Sequence, residues 1–401
     1  MTRETARAPR DAGGPSTGRR LLIAAGGGGD AIATTMVHSA LYGPRTPALV
    51  LTYAWERLVV DPVPGPRRPA DFTGTVPVTP HLDLVVAGSA PRPPAGSLLP
   101  RLARDLAPGL GLLDPYGGAE SLARQIAEAA VFCGTREVDV VDVGGDVVAD
   151  GREPTLRSPL GDALVLAACA RTDLRVRVLV AGPGLDGEVP ERDLLPRLGP
   201  AAFTLTAGDT EAVDAVFQWH PSEASALLVA AARGVRGVCG TRDFPHPVLL
   251  GPASAHVHEL TLDRALALNP LARALARTTD LAGAEQASLA VCGFSEIARE
   301  RDRAARRLPT APPAPAPGPD PADLLARHAA WERNTALRGI AYVTTRRITE
   351  ELALTPAQAA LLLRHLAVST PDRPAAAPLW PLRRPTAPEG RPDRRAPAEE
   401  R

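Results

Sequence analysis

Residues 21–30 read LLIAAGGGGD and run straight into AIATTMVHSALY, so an apolar strand breaks at four consecutive glycines and a helix opens on an aspartate. A turn needs one or two positions with φ > 0. Four glycines in a row therefore predict something more: backbone N–H groups lying close to a ligand at a helix N-terminus, where unpaired amides and the helix dipole favour an anion. The candidate ligand-binding residues of this segment are Gly26, Gly27, Gly28, Gly29, Asp30 and Thr34. A carboxylate repels a phosphate, so Asp30 is expected to cap the helix, hold a bridging metal or hold a hydroxyl.

Strand signals recur at 48–53, 82–87, 138–143, 176–181 and 202–206, and helical patterns lie at 31–42, 119–132, 161–170 and 210–233. Near-continuous apolar strands separated by helices predict an α/β fold, a Rossmann-like mostly parallel sheet with helices on both faces. Ligands in such sheets bind at the carboxyl ends of the strands beside a topological switch point. Beyond residue 234, VRGVCGTRDFPHPVLL and SAHVHELTL read as a hairpin or sheet edge. The expected organisation is a disordered tail (1–19), an α/β ligand-binding domain (20–300), a Pro-rich linker (301–322), a small C-terminal helical module (323–366) and a second disordered tail (367–401).

The chain has no lysine; all 45 basic residues are arginine. This excludes the GxxxxGK[ST] phosphate loop, a pyridoxal Schiff base and lysine nucleophiles or bases. Formal net charge is zero, which provides no global field for nucleic acid or anionic membrane. The four cysteines lack CxxC or CxxH spacing and disfavour zinc. They read as buried thiols of a cytoplasmic protein, and no run approaches the ~20 apolar residues of a membrane span.

Three further segments carry chemistry. REVDVVDVGGDVVADG places Asp142, Gly144, Gly145 and Asp146 at the end of a valine strand. Carboxylates are costly there unless bonded to loop amides or used. At such spacing they suit Mg²⁺ or Ca²⁺, or sugar hydroxyls, and Asp142 and Asp146 are the candidate catalytic and metal residues. SPLGDALVLAA follows, with Ser158 and Asp162 at another helix entrance, where capping is the ordinary role. AWERLVVDPVPGPRRPADF carries Glu56, Arg57 and Asp61 on a stiff loop of a length suited to a lid. FQWHPSEASALLVAAARG sets Trp219, His220 and Glu223 before an apolar helix, with the aromatic pair placed to stack on a base or sugar. The C-terminal YVTTRRITEELALTPAQAALLLRHLAV has the cadence of a helix-turn-helix, but its supposed reading helix offers few polar side chains. Packing against the main domain is expected in place of DNA binding.

At LLIAAGGGGDAIAT, WERLVVDP, VDVVDVGGD, SPLGDALVLAA and HPSEASALLVAAARGVRG the chain resembles an uncharacterised prokaryotic family designated domain of unknown function 1152, over about residues 20–300. The resemblance implies one α/β domain and brings no reaction with it. The residues themselves predict an enzyme that binds a phosphorylated sugar or nucleotide at the glycine run and acts by transfer or hydrolysis at a sugar carbon, with aspartates holding a divalent cation or hydroxyls. The competing expectation is a non-catalytic nucleotide sensor that signals through its C-terminal module. A redox role is disfavoured, since GGGGD lacks the GxGxxG spacing.

Overall fold

A computed structural model describes residues 18–242, 244, 246–306, 321–369 and 377–383. Residues 1–17 of the expected N-terminal tail, most of the Pro-rich linker, and residues 370–376 and 384–401 of the expected C-terminal tail lie outside the described residues.

The chain is an α/β protein built on a nine-stranded sheet. In chain order its strands are β1 (Arg20–Ala24), β2 (Ala48–Tyr53), β3 (Val76–Thr79), β4 (Leu82–Val85), β5 (Gly109–Leu113), β6 (Glu137–Val143), β7 (Arg175–Ala181), β8 (Ala201–Thr204) and β9 (His256–Thr261). Their spatial order is β8-β9-β7-β6-β1-β2-β5-β4-β3. The five central strands, β7 to β5, pair in parallel, while β9 and β8 at one side and β4 and β3 at the other run antiparallel.

Alternation along the central strands supplies two cores. Leu21, Ile23, Leu49, Leu51, Val138 and Val140 face one way, and Leu22, Ala24, Val50, Val141 and Val143 face the other. One face is covered by helices α2 (Gly118–Cys133) and α3 (Leu160–Cys169), the other by α1 (Asp30–Tyr42) and α4 (Glu223–Ala232). Successive side chains on a strand point to opposite faces, so strands buried on both sides must be apolar throughout. The chain leaves β1 toward β2 and β5, then returns to lay β6 against the other flank of β1. The switch point is therefore the crevice between β1 and β6 at their carboxyl ends.

Three expectations need correction. The segment at 82–87 is not a parallel crossover strand; Leu82–Val85 forms an antiparallel hairpin with Val76–Thr79. The adjoining parallel strand is GLGLL (109–113), whose glycines mask its β pattern; a side chain at Gly111 would collide with Leu51 of the neighbouring strand. The helix expected over 210–233 is two elements, a 3₁₀ stretch at Glu211–Gln218 and α4. Pro221 has no amide to donate and holds His220 away from helical geometry, so the chain turns between them.

The C-terminal segment packs against the main body. Tyr342–Val343 pairs in parallel with Gly237–Gly240, which pairs antiparallel with Val248–Leu250, and Trp380–Pro381 closes the four-stranded sheet. Helices at Pro321–Leu337, Thr345–Glu351 and Pro356–Ser369 enclose a small core of Leu324, Ile340, Val343, Ile348, Leu352, Leu362 and Trp380. Among the described residues no helix is long and apolar enough to cross a membrane.

Candidate functional site

The loops after β1, β6 and β7 and the entrance of α3 meet at the switch point and enclose a chamber of about 140 Å³. Its wall takes in Gly26–Gly29, Asp30, Asp142, Asp146, Ser158 and Asp162. The glycine run, the acidic end of the valine strand and the helix entrance with Ser158 and Asp162 thus share one sheet edge. Carboxylate oxygens of Asp30, Asp142 and Asp162 lie within 4.8 Å of one another. Asp146 lines the same chamber without joining that group.

Each of the four glycines has a local cause. Gly27 and Gly28 have φ of 83° and 50°, which L side chains rarely adopt. A Cβ at Gly26 would strike the Asp30 carboxylate, and one at Gly29 would strike Ser222. Asp30 does not cap its own helix; its Oδ2 accepts from the Gly26 amide at 3.0 Å and ties the loop shut. The helix begins after Gly29 without a side-chain cap. Asp162 is no cap either: α3 follows Pro159 with no side-chain cap, and Asp162 Oδ1 is buried with no hydrogen-bond partner.

Ten carboxylates line the chamber, against the guanidinium groups of Arg57 and Arg346. Besides Asp30 on the Gly26 amide and Glu296 on the Leu160 amide, the other eight fall into two sets. Glu188 accepts from the Arg157 and Ser158 amides at 2.6 and 2.8 Å and from the Ser158 hydroxyl. Glu223 accepts from the Arg242 amide and the Thr344 hydroxyl, Glu300 from Trp55 Nε1 and the Gly65 amide, and Glu56 from the Leu98 amide. These four hold loops together. Asp142 is met by the Val147 amide at 3.2 Å and by the Gly145 amide, Asp186 by the Glu188 amide at 3.2 Å, and Asp146 Oδ1, like Asp162 Oδ1, has no partner.

The crowding is visible in the acidities. Loss of hydration, then the charge of Asp142, pushes Asp30 up to about 8. Asp142 is pushed up to about 7 by burial, and the Glu188 charge adds to it. Burial and neighbouring carboxylates hold Asp146, Asp162 and Asp186 well above the usual carboxylate range. Glu296 is raised by burial and by Glu300, and burial takes Glu56 to about 7. A group of buried like charges can ionise together only if a cation joins it.

The other sequence candidates divide. Glu56, Arg57 and His220 face the chamber. Burial holds His220 down to about 3, so it is neutral, and its Nδ1 accepts from the Ser222 amide at 3.1 Å, leaving the proton on Nε2. Trp219 is not free to stack in the inner chamber: its Nε1 donates to Asp105 at 2.9 Å and Arg101 covers its ring at 4.1 Å. Thr34 is buried within α1 and Asp61 is paired with Arg67 at 3.1 Å; neither reaches the chamber. Gly144 and Gly145, at φ 117° and 129°, are required by packing, because the Asp186 carboxylate and Leu194 occupy the space of their missing side chains.

Sequence reasoning missed Asp186, Glu188, Glu296, Glu300 and Arg346. The first two were open to the logic that flagged Asp142, since VRVLVAGPGLDGE is also a buried strand ending in glycines and acids. Glu296 and Glu300 sit four apart on a highly charged helix and read as a solvated face.

No curated protein and no solved structure matches the chain. The family model described as "Protein of unknown function (DUF1152)" matches residues 21–304, most of the chain and every strand and carboxylate of the inner chamber, and the chain therefore belongs to that family.

Proposed function

We propose that the chain is a divalent-cation-dependent enzyme acting on a phosphorylated sugar or nucleotide. Asp30, Asp142 and Asp162 hold the cation, and the ligand's phosphate bridges from the cation to the glycine loop. One observation carries the reading: three aspartates from three separate elements, the starts of α1 and α3 and the end of β6, converge at the switch point, and the buried Asp162 Oδ1 has no protein partner. Hard cations take carboxylate oxygens at about 2.0–2.6 Å, so oxygens on opposite sides of one ion lie about 4–5 Å apart. The separation here is of that order.

A bare phosphate would meet strong repulsion among ten carboxylates. Binding a cation would displace the aspartates' protons to solvent, and the cation's charge would make the chamber tolerable for an anion. Arg57 stands beside Asp30 and Glu296 and adds a second positive group. The cation would polarise the bound phosphorylated group and orient a water, and Asp146, adjacent and without a partner on Oδ1, is placed to stabilise positive charge that develops at a sugar carbon. Hydrolysis or transfer at that carbon is the reaction class we favour. The four free thiols, three of them buried, support a reducing cytoplasm.

Calorimetry with Mn²⁺, Mg²⁺ and Ca²⁺ on wild type and on Asp30→Asn, Asp142→Asn and Asp162→Asn tests the cation. Wild type should bind and each variant should lose most of the affinity. Equal binding in all four proteins would remove the metal reading. Turnover of nucleotides and sugar phosphates with the cation present separates an enzyme from a non-catalytic sensor.

A further inference from the structure

A second chamber of about 590 Å³ adjoins the first. The two share Val59, Val60, the turn His220–Glu223 and Arg346 as common walls. Its volume falls in the range of small-molecule sites, about 300–1,000 Å³, whereas the inner chamber is large enough only for an ion and an anionic head. Phe217, Gln218 and Trp219 form one side. The opposite side is Thr344–Arg346, Thr349, Glu350 and Leu354, from beyond the residues that the family model matches.

That opposite wall is anchored. The Thr344 hydroxyl donates to Glu223, Arg347 Nη1 donates to the Thr241 carbonyl at 3.3 Å, and Tyr342–Val343 is paired with Cys239–Gly240. Its charges are balanced: Glu350 meets Arg346 Nε at 2.6 Å and Arg242 Nε at 3.2 Å, and Arg346 Nη1 lies 4.0 Å from Glu223. Two guanidiniums face two carboxylates, and His220 is neutral. Such a chamber offers no net charge to a ligand; it offers apolar surface, hydroxyls and an aromatic edge.

We infer that the outer chamber receives a neutral, planar group, a nucleobase or aryl ring, carried by the same compound whose phosphate is bound in the inner chamber, and that the C-terminal segment is the specificity wall of the site. The inference rests on the proposed cation site. It gives the C-terminal segment a binding role at the site, distinct from reading DNA.

The test uses the full-length protein with saturating Mn²⁺ and three probes: inorganic phosphate, phenyl phosphate and adenosine 5′-monophosphate. Burying a ring should make the two organic phosphates bind at least about tenfold more tightly than inorganic phosphate. Thr349→Trp and Gln218→Trp fill the outer chamber from opposite sides without touching the inner one. Either folded variant should erase that ratio and keep the affinities for Mn²⁺ and inorganic phosphate. A wild-type ratio near one, or a ratio that survives in both variants, overturns the inference while the cation site stands. Absence of Mn²⁺ binding in wild type overturns the cation site, and this inference with it.

Discussion

Asp162 sits at the third position of α3, where an acid ordinarily answers the unpaired amides of a helix start, yet its Oδ1 meets no donor and its pKa is raised by burial and by Asp142 and Asp30. Its side chain is held against like charges when bonding to amides was available one turn away. Replacing it with asparagine removes that repulsion at nearly constant shape. Asp162→Asn should therefore raise the melting temperature of the metal-free protein at pH 8 while abolishing stabilisation by Mn²⁺. A variant less stable than wild type in chelator would mean that the carboxylate is structural. The same crowding sets a pH dependence. Unfolded aspartates release their protons near 4, whereas folded Asp142 and Asp30 keep theirs to about 7 and about 8. The folded state binds more protons across that window, so this part of the stability is complete below about pH 4 and is lost as pH rises toward 8. Thermal melts in chelator should show a falling melting temperature between pH 5 and 8.5, and excess Mn²⁺ should flatten or reverse it, because a bound cation needs the ionised form. A flat profile in chelator would contradict the acidities of the cluster.

The loops that deliver these aspartates are built as tightly as the strands. Gly144 has φ 117° and the Asp186 carboxylate lies where its Cβ would be, so Gly144→Ala combines backbone strain with a displaced acid. A loss of about 1–3 kcal/mol is expected from the backbone alone, readable in urea unfolding; no loss would mean that the loop after β6 is slack. Gly27→Val is likewise expected to cost stability as well as binding, since φ is 83° and Tyr53 Cβ would be 3.0 Å away. The glycine run was legible as the junction of a strand and a helix because a strand, a break and a helix follow each other within a dozen residues. What could not be read was that Gly29 is held to glycine by Ser222, a contact made across the fold. The parallel strands β1, β2, β6 and β7 announced themselves through β-branched and leucine runs, whereas β5 was hidden by its glycines. The helix break before Pro221 followed from a local rule that the apolar period of the flanking residues obscured. The pairing of Asp142 with Asp30 and Asp162 depends on the return of β6 to the far flank of β1, a choice of strand order that no local pattern encodes.

At the scale of the whole molecule, the family domain and the residues after it share the small four-stranded sheet. Gly237–Gly240 has Val248–Leu250 on one side and Tyr342–Val343 on the other, so deleting the C-terminal segment would leave its second edge unpaired. The same deletion would take Thr344 from Glu223, a buried carboxylate that also holds the Arg242 amide at the chamber rim, and Arg347 from the Thr241 carbonyl. An edge strand without its partner is an aggregation hazard, and a buried acceptor without its donor costs about 1–3 kcal/mol. Ending the chain after Arg306 should accordingly lower the melting temperature and promote association, and light scattering with thermal unfolding would show both. The inner aspartates belong to α1, β6 and α3, apart from this segment, so the soluble fraction of the truncated protein should still bind Mn²⁺. A truncated protein as stable and as monodisperse as the full chain would show that residues 307–401 are an appendage, and would leave Arg346 and Thr344 without the role their contacts indicate.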